Sequence, residues 1–407
     1  MSAPDSLPEA PSTVVDRAGV PAFGTYEGPF SIVDLRTLRP PFAKGPIGRL
    51  RHHKKWVYTY AADEAVSVLC AIVDTSYAAT AFVAVTDMRT MESVVDRSVM
   101  GAPGPLVRVS DQPAFGLDAS FRSPLGSFRF ARPAGLDHYR LTVDSTPATE
   151  SLAAAARPVT RAAEAALGVV PVVGDRLAGW VPGGGGASGR MARGSASYGP
   201  AVDDAESGRV HVDLRFEAGR TPPLSVVAPV TEGGGSVNVT QKLAGLPVTG
   251  SVTAVGRTWQ LDRAVGGMDY THGYLARHTA WNWAFMVGRL PDGTRLGLNL
   301  VAGFNETRPD VNENALWVDD RLIPLDRARF AWDRSDPQAA WRVTTVDGSV
   351  DLAFTPYAVH SERKDLVVVV SRFIQPIGVF SGTVRIDDVD VAVTAMPGVT
   401  EDQDIRW

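Results

Sequence analysis

Short runs of apolar and β-branched residues, separated by turn-forming residues, recur along most of this 407-residue chain. Residues 65–73 and 77–86 are two such runs, with Asp63 and the sequence Asp74-Thr75-Ser76 as turn signals. Turns spaced about ten residues apart over a long stretch are typical of β-sandwiches and β-barrels. The pattern therefore predicts an antiparallel, all-β fold.

The same pattern resumes beyond residue 205 and continues to the end of the chain. Turn sequences such as Pro291-Asp292-Gly293 separate pairs of apolar runs, which predicts β-hairpins. The predicted hairpins pair residues 281–290 with 294–302, 315–319 with 321–324, and 341–345 with 349–354.

Composition divides the chain into four segments. Residues 1–22 are rich in Pro, Ser and Ala, which predicts a segment that is disordered or lies over the surface. Residues 23–147 are expected to form an N-terminal β domain. Residues 148–204 contain helix formers followed by a glycine run, so a helical and glycine-rich connector is expected there. Residues 205–407 are expected to form a C-terminal β domain that carries the main motifs.

Charge and hydropathy exclude several classes of protein. A net charge of -5 provides no basic footprint for nucleic acid. The single cysteine, Cys70, excludes an intramolecular disulfide. The N-terminus lacks the features of a secretory signal, and no apolar run of about eighteen residues is present. We therefore expect a cytoplasmic protein without a nucleic-acid partner or membrane segment. The sequence gives no information on the oligomeric state.

The common signatures of metal and cofactor sites are missing from the sequence. It contains no His-Glu-x-x-His, no pair of cysteines and no Gly-x-Gly-x-x-Gly that follows a predicted strand. The nucleophile elbow Gly-x-Ser-x-Gly is absent as well. His211 and Asp213 would share one strand face, but no third ligand accompanies them. We therefore expect no metal and no cofactor.

A basic cluster, residues 49–55, leads into an aromatic run at 56–60. Lysines commonly protect the edge strands of sheets, whereas nucleic-acid binding would require a more basic chain. The cluster therefore predicts an edge strand.

Chemically capable side chains are densest at residues 266–274, where Asp269 and His272 lie among three glycines. Glycine allows a positive φ or a close approach of another backbone, so we expect a glycine-hinged turn. The strand that follows would present Trp281 and Trp283 on one face. Asp269 and His272 are thus the predicted catalytic residues, above an aromatic pocket. The alternative is a turn whose Asp and His cap backbone groups while the indoles fill a core.

Polar residues inside apolar strands provide further candidates. Asn299 lies in an apolar run, where a buried amide needs partners or a ligand. Arg372 lies in another, where it is expected to pair with a carboxylate such as Glu362 or to bind a ligand. The predicted substrate-binding set is Tyr270, Trp281, Trp283, Asn299, Asn305, Glu306, Glu362 and Arg372. A wider set of candidates includes Asn312, Glu313, Gln375, Glu401, Asp402 and Trp407.

A group of motifs resembles a large bacterial family defined only as a domain of unknown function. The resemblance covers most of the chain, is strongest from about residue 260 onward, and implies no assigned reaction. The motifs are Asp269-Tyr-Thr-His-Gly273, Trp281-Asn-Trp283, Gly297-Leu-Asn-Leu300, Gly303-Phe-Asn-Glu306, Asn314-Ala-Leu-Trp-Val318, residues 373–382 ending in Phe-Ser-Gly, and Met396-Pro-Gly-Val-Thr-Glu-Asp402 followed by Trp407.

That family resembles, more distantly, the lipocalin-like group of AttH proteins, hydroxyneurosporene synthase (carotenoid 1,2-hydratase) and tocopherol cyclase. The resemblance implies two lipocalin-like β-barrel or sandwich domains packed together, with a Gly-x-x-Asp and Trp-x-Trp region near a ligand cavity. It also implies a small hydrophobic, isoprenoid-like partner. Position 403 is Gln here, whereas the family's C-terminal motif is Glu-Asp-His, which weakens any transfer of a catalytic role to this motif.

Three functional hypotheses follow. The first is a hydratase, cyclase or isomerase that acts on an isoprenoid- or lipid-like substrate. There Asp269, its pKa raised by the indole-walled pocket, would protonate an alkene or epoxide. His272 would orient the acid or accept the final proton, and Asn299 or Asn305 would hold a water. The second hypothesis is a non-catalytic, lipocalin-like carrier. The third is a carbohydrate-active enzyme, which requires two carboxylates facing each other across a cleft.

Overall fold

The computed structural model describes residues 6–147, 208–365 and 370–407. Within these ranges the chain is nearly all β: two curled antiparallel sheets pack against each other, with one short helix, α1 (Pro46–His52), and one 3-10 turn (Leu35–Thr37). The predicted all-β fold is confirmed. The predicted connector, residues 148–204, lies outside the described residues.

The first sheet contains thirteen of the described strands. They are β1 (Gly24–Glu27), β2 (His53–Ala62), β3 (Val66–Asp74), β4 (Ala79–Asp87), β5 (Glu92–Gly101), β6 (Val107–Val109), β7 (Leu117–Ser123), β8 (Gly126–Arg132), β9 (His138–Ser145), β10 (Val210–Glu217), β11 (Leu224–Pro229), β12 (Val237–Ala254) and β13 (Arg257–Tyr274). Their spatial order is β5-β4-β3-β2-β13-β12-β10-β9-β8-β7-β6, while β11 pairs with β12 and β1 pairs with β11.

The second sheet contains nine of the described strands in the order β17-β16-β15-β14-β22-β21-β20-β19-β18. They are β14 (His278–Arg289), β15 (Arg295–Ala302), β16 (Ala315–Val318), β17 (Arg321–Pro324), β18 (Ala328–Ala331), β19 (Trp341–Thr345), β20 (Val350–Asp365), β21 (Val370–Ile386) and β22 (Val389–Arg406). The three predicted hairpins are confirmed as the antiparallel pairs β14–β15, β16–β17 and β19–β20.

The first sheet includes strands from both sides of the boundary predicted at residue 205. Strands β10 to β13 pair with the sheet that β2 to β9 begin, and the chain passes to the second sheet between Tyr274 and His278. The division of the chain into four segments remains a prediction. The chain leaves the first sheet about seventy residues after the predicted boundary at residue 205.

The N-terminal segment differs from the disorder predicted for residues 1–22. From residue 6 onward it lies on the first sheet, where Glu9 and Thr13 bridge to Glu27 and Ile32. Val14 is buried in the core of this sheet. A segment rich in Pro and Ser can be ordered when its few apolar side chains find a core to enter, and composition does not reveal this.

The basic cluster does not mark an edge strand, so that prediction is wrong. Its last residues begin β2, which is paired on one side with β3 and on the other with β13. Lys54 is fully buried, and its ammonium donates to the backbone carbonyls of Arg51 and Thr75 at 2.7 and 3.2 Å. The lysines therefore satisfy buried acceptors instead of protecting an open edge.

The glycine-rich stretch around Asp269 is the middle and end of a long strand, so the predicted turn is wrong. β13 runs without interruption from Arg257 to Tyr274, and it pairs with β12 and β2. The glycines instead allow neighbouring backbone and side chains to approach this strand closely. A Cβ at Gly267 would lie 2.1 Å from the carbonyl oxygen of Leu243 and 2.7 Å from the Phe285 ring. The turn that precedes this strand is at Val255-Gly256, where both φ angles are positive.

Three groups of buried apolar side chains form the core of the described residues. One lies within the first sheet and includes Phe121 and Phe128, and another lies within the second sheet and includes Phe354. The third, the intersheet cluster, joins side chains of both sheets, such as Tyr60 and Phe285, whose ring centroids are 6.3 Å apart. It is this third group that surrounds the candidate site. Among the described residues, no helix has the length and hydropathy to cross a membrane.

Candidate functional site

A cavity of about 190 Å³ lies between the two sheets, beside the intersheet cluster. Strands β2, β3 and β4 form one wall, and β14, β21 and β22 form the other. Most of its surface is apolar, because aromatic side chains dominate the lining. These are Trp56, Tyr58, Tyr77, Phe82, Trp281, Trp283, Phe304, Phe373 and Trp407. We call this space the intersheet cavity.

Two stacked indoles, one from each sheet, hold one carboxyl each. The rings of Trp56 and Trp281 are 6.2 Å apart and nearly parallel, with an interplanar angle of 12°. Trp56 Nε1 donates to Asp269 Oδ2 at 3.2 Å, and Trp281 Nε1 donates to Glu401 Oε1 at 2.6 Å. The two carboxyls are thus oriented by neighbouring rings, although they belong to different sheets.

Asp269 lies on β13 directly opposite Tyr58 on one side and Lys242 on the other. Its side chain is buried, and Lys242 Nζ lies 2.7 Å from Oδ1. Thr240 Oγ1 donates to the same oxygen at 3.1 Å. Asp269 therefore lines the cavity as predicted, but as the partner of an ammonium that the sequence analysis did not identify.

Lys242 also contacts a second carboxylate, that of Glu313, at 3.4 Å. Burial lowers the pKa of the Lys242 ammonium, but the charges of Asp269 and Glu313 outweigh it and raise the pKa above its ordinary value. Glu313 also accepts from Asn305 Nδ2 at 3.0 Å. Burial, opposed by Lys242, raises the pKa of Glu313. The three groups form a charged triad in the wall of an otherwise apolar cavity.

Glu401 differs from Asp269 because its hydrogen-bond partners are uncharged. Besides the Trp281 indole, Gln375 Nε2 donates to its Oε2 at 2.8 Å. Glu401 is only 6% exposed, and burial raises its pKa to about 7. A carboxyl with this pKa holds a proton on half of the molecules near neutral pH, which is the property a general acid needs.

Tyr58 lies beside these groups on β2. Its ring packs edge-on against Trp283, with centroids 4.9 Å apart. Its buried hydroxyl has no hydrogen-bond partner among the described residues. Burial and the nearby Glu401 raise the pKa of Tyr58. The phenol is therefore a neutral, buried polar group beside the carboxyls of the cavity.

The period of two along the strands explains why these side chains meet. Trp281 and Trp283 lie opposite Gln403 and Glu401 in the β14–β22 pair, so all four side chains face the cavity. Both indoles thus line the intersheet cavity, and their role in binding a substrate stays a prediction. Trp283 Nε1 points away from the open space and donates to Asn299 Oδ1 at 2.8 Å.

His272, the second predicted catalytic residue, does not share a site with Asp269. The two are three positions apart on one strand, so their side chains point to opposite faces of the sheet. His272 Nε2 lies 2.8 Å from His53 Nε2, and the two rings share one hydrogen bond. Burial lowers the pKa of His272 and brings that of His53 to about 4. Tyr270 is on this face as well, where its hydroxyl donates to the Ser110 carbonyl at 3.0 Å.

The predicted asparagines and Glu306 have protein partners. Asn299 Nδ2 donates to the Glu313 carbonyl at 2.6 Å, so this buried amide supports the segment that carries Glu313. Asn305 bridges Asn238 and Glu313. Glu306 accepts from the Gly303 amide at 2.8 Å within its own loop. None of these three is among the residues that line the described cavity.

Arg372 pairs with the carboxylate of Asp402, whereas the sequence analysis named Glu362 as an example of such a partner. In the β20–β21 ladder Glu362 lies opposite Phe373, and both line the intersheet cavity. Arg372 is the next residue along the strand and points to the other face. Gln403, the position where the family motif has His, lines the cavity and donates to Ser371 Oγ at 3.1 Å.

Sequence reasoning missed Lys242 and the roles of Trp56 and Tyr58. The signal for Lys242 was present, because a lysine within an apolar strand is rarely buried without a carboxylate partner. Trp56 and Tyr58 were placed in a predicted edge strand, which hid their role. Glu401 was in the wider set of candidates, but no sequence feature distinguished it from Asp402.

One group of side chains with metal-ligand spacing occurs among the described residues: Asp137, His138 and Glu217. It lies at the surface of the first sheet, away from the intersheet cavity. Clusters of exposed acidic groups are common without an ion, and the cavity chemistry does not involve them.

Comparison with solved structures finds distant likenesses that extend over nearly the whole chain. Kievitone hydratase from Nectria haematococca is 11% identical, with a TM-score of 0.43 over 93% of this chain and 97% of that one. CghA with Sch210972 is 10% identical, with a TM-score of 0.45 over 95% and 99%. A protein assigned as AttH from Nitrosomonas europaea is 11% identical, with a TM-score of 0.42 over 90% and 98%. Likenesses this distant transfer no activity to this chain.

None of the curated proteins matches this sequence significantly. The model of one family does match, over residues 7–175 and 197–407, which is nearly the full length. It is described as a domain of unknown function, DUF2804. The resemblance stated from the motifs is thereby confirmed, and the chain belongs to the DUF2804 family.

Proposed function

We propose that this protein is an enzyme of hydratase, cyclase or isomerase type that applies acid–base chemistry to a hydrophobic, isoprenoid- or lipid-like substrate without a redox cofactor. The observation that carries the proposal is Glu401, a carboxyl whose pKa burial raises to about 7 and which lines an aromatic cavity. Such a group both donates and accepts a proton near neutral pH.

In the proposed reaction, the Glu401 carboxyl protonates a carbon–carbon double bond of the bound substrate. The electron pair of that bond forms the new C–H bond, and the neighbouring carbon becomes cationic. Asp269, held by Lys242, Trp56 and Thr240, faces that positive charge as a fixed negative group. The faces of the surrounding indoles stabilise the cation further.

The outcome depends on what reacts with the cation. Attack by water and loss of its proton gives a hydratase, attack by a second double bond gives a cyclase, and loss of a neighbouring proton gives an isomerase. In each case the departing proton returns to a carboxylate of the cavity, which restores the acid. Relative to the expectation from the sequence, Glu401 takes the role assigned to Asp269, and His272 takes no part.

The experiment uses an apolar extract of the cells that naturally produce the protein, incubated with the purified protein in deuterated water. Protonation of a carbon places one deuterium in the product, so mass spectrometry detects turnover of any substrate in the extract by its gain in mass. The Glu401→Gln and Asp269→Asn variants are expected to lose about 10²- to 10⁴-fold in turnover. The exposed Glu92 provides the matched control, Glu92→Gln, which is expected to retain full turnover.

Retained labelling in Glu401→Gln would contradict the assignment of the acid. Absence of labelling in the wild type, together with an apolar molecule retained through purification, would instead support a lipocalin-like carrier. A carrier needs the apolar cavity, but it has no use for a buried carboxyl whose pKa is near 7, and this is the feature that favours catalysis.

A further inference from the structure

Acidic side chains outnumber basic side chains in the wall of the intersheet cavity. Among the described lining residues, Lys242 is the only cationic side chain. Four residues contribute carboxyls: Asp269, Glu313 and Glu401, which lie together, and Glu362. Lys242 contacts the first two, and Glu401 receives hydrogen bonds from an indole and an amide only. Two buried carboxylates and one ammonium together carry a net negative charge, and an ionised Glu401 adds a further negative charge.

Three buried oxygens in and beside this cavity have no hydrogen-bond partner among the described residues. They are the hydroxyls of Tyr58 and Tyr77 and the Oε1 atom of Gln375. The amide oxygen of Gln375 only accepts, so it is satisfied by a ligand that donates N–H or O–H groups, whereas a tyrosine hydroxyl both accepts and donates. An ammonium offers several N–H donors, an alcohol offers one, and a carboxylate offers none.

The aromatic lining also favours a cation. Three indoles, those of Trp56, Trp281 and Trp283, surround the carboxyls, and the faces of indole rings attract positive charge. The protein already uses this geometry, because Lys242 Nζ lies 5.9 Å from the centroid of the Trp283 ring. Most of the remaining lining is apolar and is suited to a hydrocarbon body, although Glu362, Ser371 and Gln403 are part of it.

We propose that the ligand of the intersheet cavity is an apolar molecule that carries one basic nitrogen, bound as an ammonium beside Glu401, Asp269 and Tyr58. Excess carboxyls, unpartnered oxygens and indole faces support this inference independently of one another. It concerns the same cavity as the proposed enzymatic function. Because the amine pairs with the ionised form of Glu401 and the reaction uses the protonated form, a hydrophobic amine is a ligand that competes with the reacting substrate.

The test compares three probes that share an eight-carbon chain: octylamine, octanol and octanoate, titrated into the full-length protein in a calorimeter. Octylamine is expected to bind about tenfold or more tightly than octanol, and octanoate most weakly. Equal or tighter binding of octanol or octanoate, or no measurable binding of octylamine, would overturn the proposal. The comparison is made within the wild type, so it does not depend on the folding of any variant.

The dependence on pH provides a second readout. The titratable groups that face Glu401 across the cavity are Asp269, Lys242, Glu313, Glu362, Tyr58 and Tyr77. Because an ammonium favours the ionised form of Glu401, whose pKa is about 7, octylamine is expected to bind about tenfold more tightly at about pH 8 than at about pH 6. The affinity of octanol is expected to stay constant over this interval.

The Glu401→Gln variant removes the titrating carboxyl and keeps the shape of the side chain. It is expected to bind octylamine at least about tenfold more weakly than the wild type at about pH 8 and to lose the pH dependence. Glu92→Gln is expected to bind as the wild type does. An unchanged affinity and pH profile in Glu401→Gln would remove Glu401 from the ammonium site.

These experiments can contradict the amine ligand and the enzymatic function separately. Deuterium labelling of a product combined with a preference for octanol would leave the enzymatic proposal standing and remove the amine. A strong preference for octylamine without any labelling would keep the amine as the ligand and remove the catalysis.

Discussion

Two acidic side chains of the intersheet cavity acquire different properties from their partners. Asp269 is held by an ammonium, an indole and a hydroxyl, whereas Glu401 is held by an indole and an amide. The absence of a charged partner, combined with burial, raises the pKa of Glu401 to about 7. At the scale of the residue, the role of a carboxyl therefore follows from what surrounds it.

Burial of Glu401 makes the stability of the protein depend on pH. Its pKa rises from an ordinary value of 4.5 to about 7, so between these values the folded state binds more protons than the unfolded state. The free energy of unfolding consequently falls as the pH rises through this interval, by up to about 3 kcal/mol from this group. This contribution is fully present below the unfolded pKa and is lost above about pH 7.

The Glu401→Gln variant is expected to lack this dependence, because an amide does not titrate. Relative to the wild type, the variant should gain up to about 3 kcal/mol of stability between about pH 4 and about pH 8, measured by urea unfolding. The Glu92→Gln variant should follow the wild-type curve. Parallel curves for the wild type and Glu401→Gln would show that Glu401 is not the group that titrates.

Strand β13 shows how an element separates residues that the sequence places together. Asp269 and His272 are close in the chain, but the strand period of two sends Asp269 to the intersheet cavity and His272 to the opposite face of the sheet, beside His53. Three glycines in nine residues favoured a turn, because glycine serves turns and close packing alike. Only the neighbouring strands decide which of these two roles applies.

Close packing at Gly267 leads to a testable prediction. A methyl group there would meet the Leu243 carbonyl oxygen at 2.1 Å and the Phe285 ring at 2.7 Å. Gly267→Ala is therefore expected to destabilise the protein by about 1–3 kcal/mol in urea unfolding, as overpacked cores do.

Gly45 provides the matched control for this substitution. It precedes α1 with an ordinary φ of -68° and has no atom within 4 Å of the position of an added Cβ. Gly45→Ala is expected to cost about 0.5–1 kcal/mol, because glycine is preferred to alanine at an N-cap, and the larger cost of Gly267→Ala is measured against this value. A small effect of Gly267→Ala would show that β12 and β14 can move away from β13 at little cost in free energy.

The intersheet cluster is expected to make the whole molecule unfold as one unit. It buries side chains from β2 and β3 against side chains from β14, β15 and β22, so neither sheet keeps its core when the other unfolds. Scanning calorimetry should therefore show a single transition for the two sheets.

Phe285→Ala provides the check on this shared core, because Phe285 is buried in the intersheet cluster. The substitution is expected to cost about 3–5 kcal/mol and to shift that single transition to lower temperature. Two transitions, with only one of them shifted, would mean that each sheet is stable alone and that the cavity lies between independent units.

The sequence by itself determined the class of fold and most of the hairpins. Alternating apolar residues and turn residues are local signals, and each acts within about ten residues of the chain. It also indicated the indoles at 281 and 283, because two aromatic residues at a spacing of two must share a strand face. The family resemblance came from motifs that are likewise local.

Only the tertiary structure decided which residues meet. Asp269 and Lys242 are brought together by the pairing of β12 with β13, and Trp56 reaches Trp281 because the two sheets pack face to face. The register of long strands and the contact between sheets depend on the packing of all the layers together. For this reason the C-terminal motif contains both Glu401 and Asp402, but only the fold shows that Glu401 is the acid with the raised pKa.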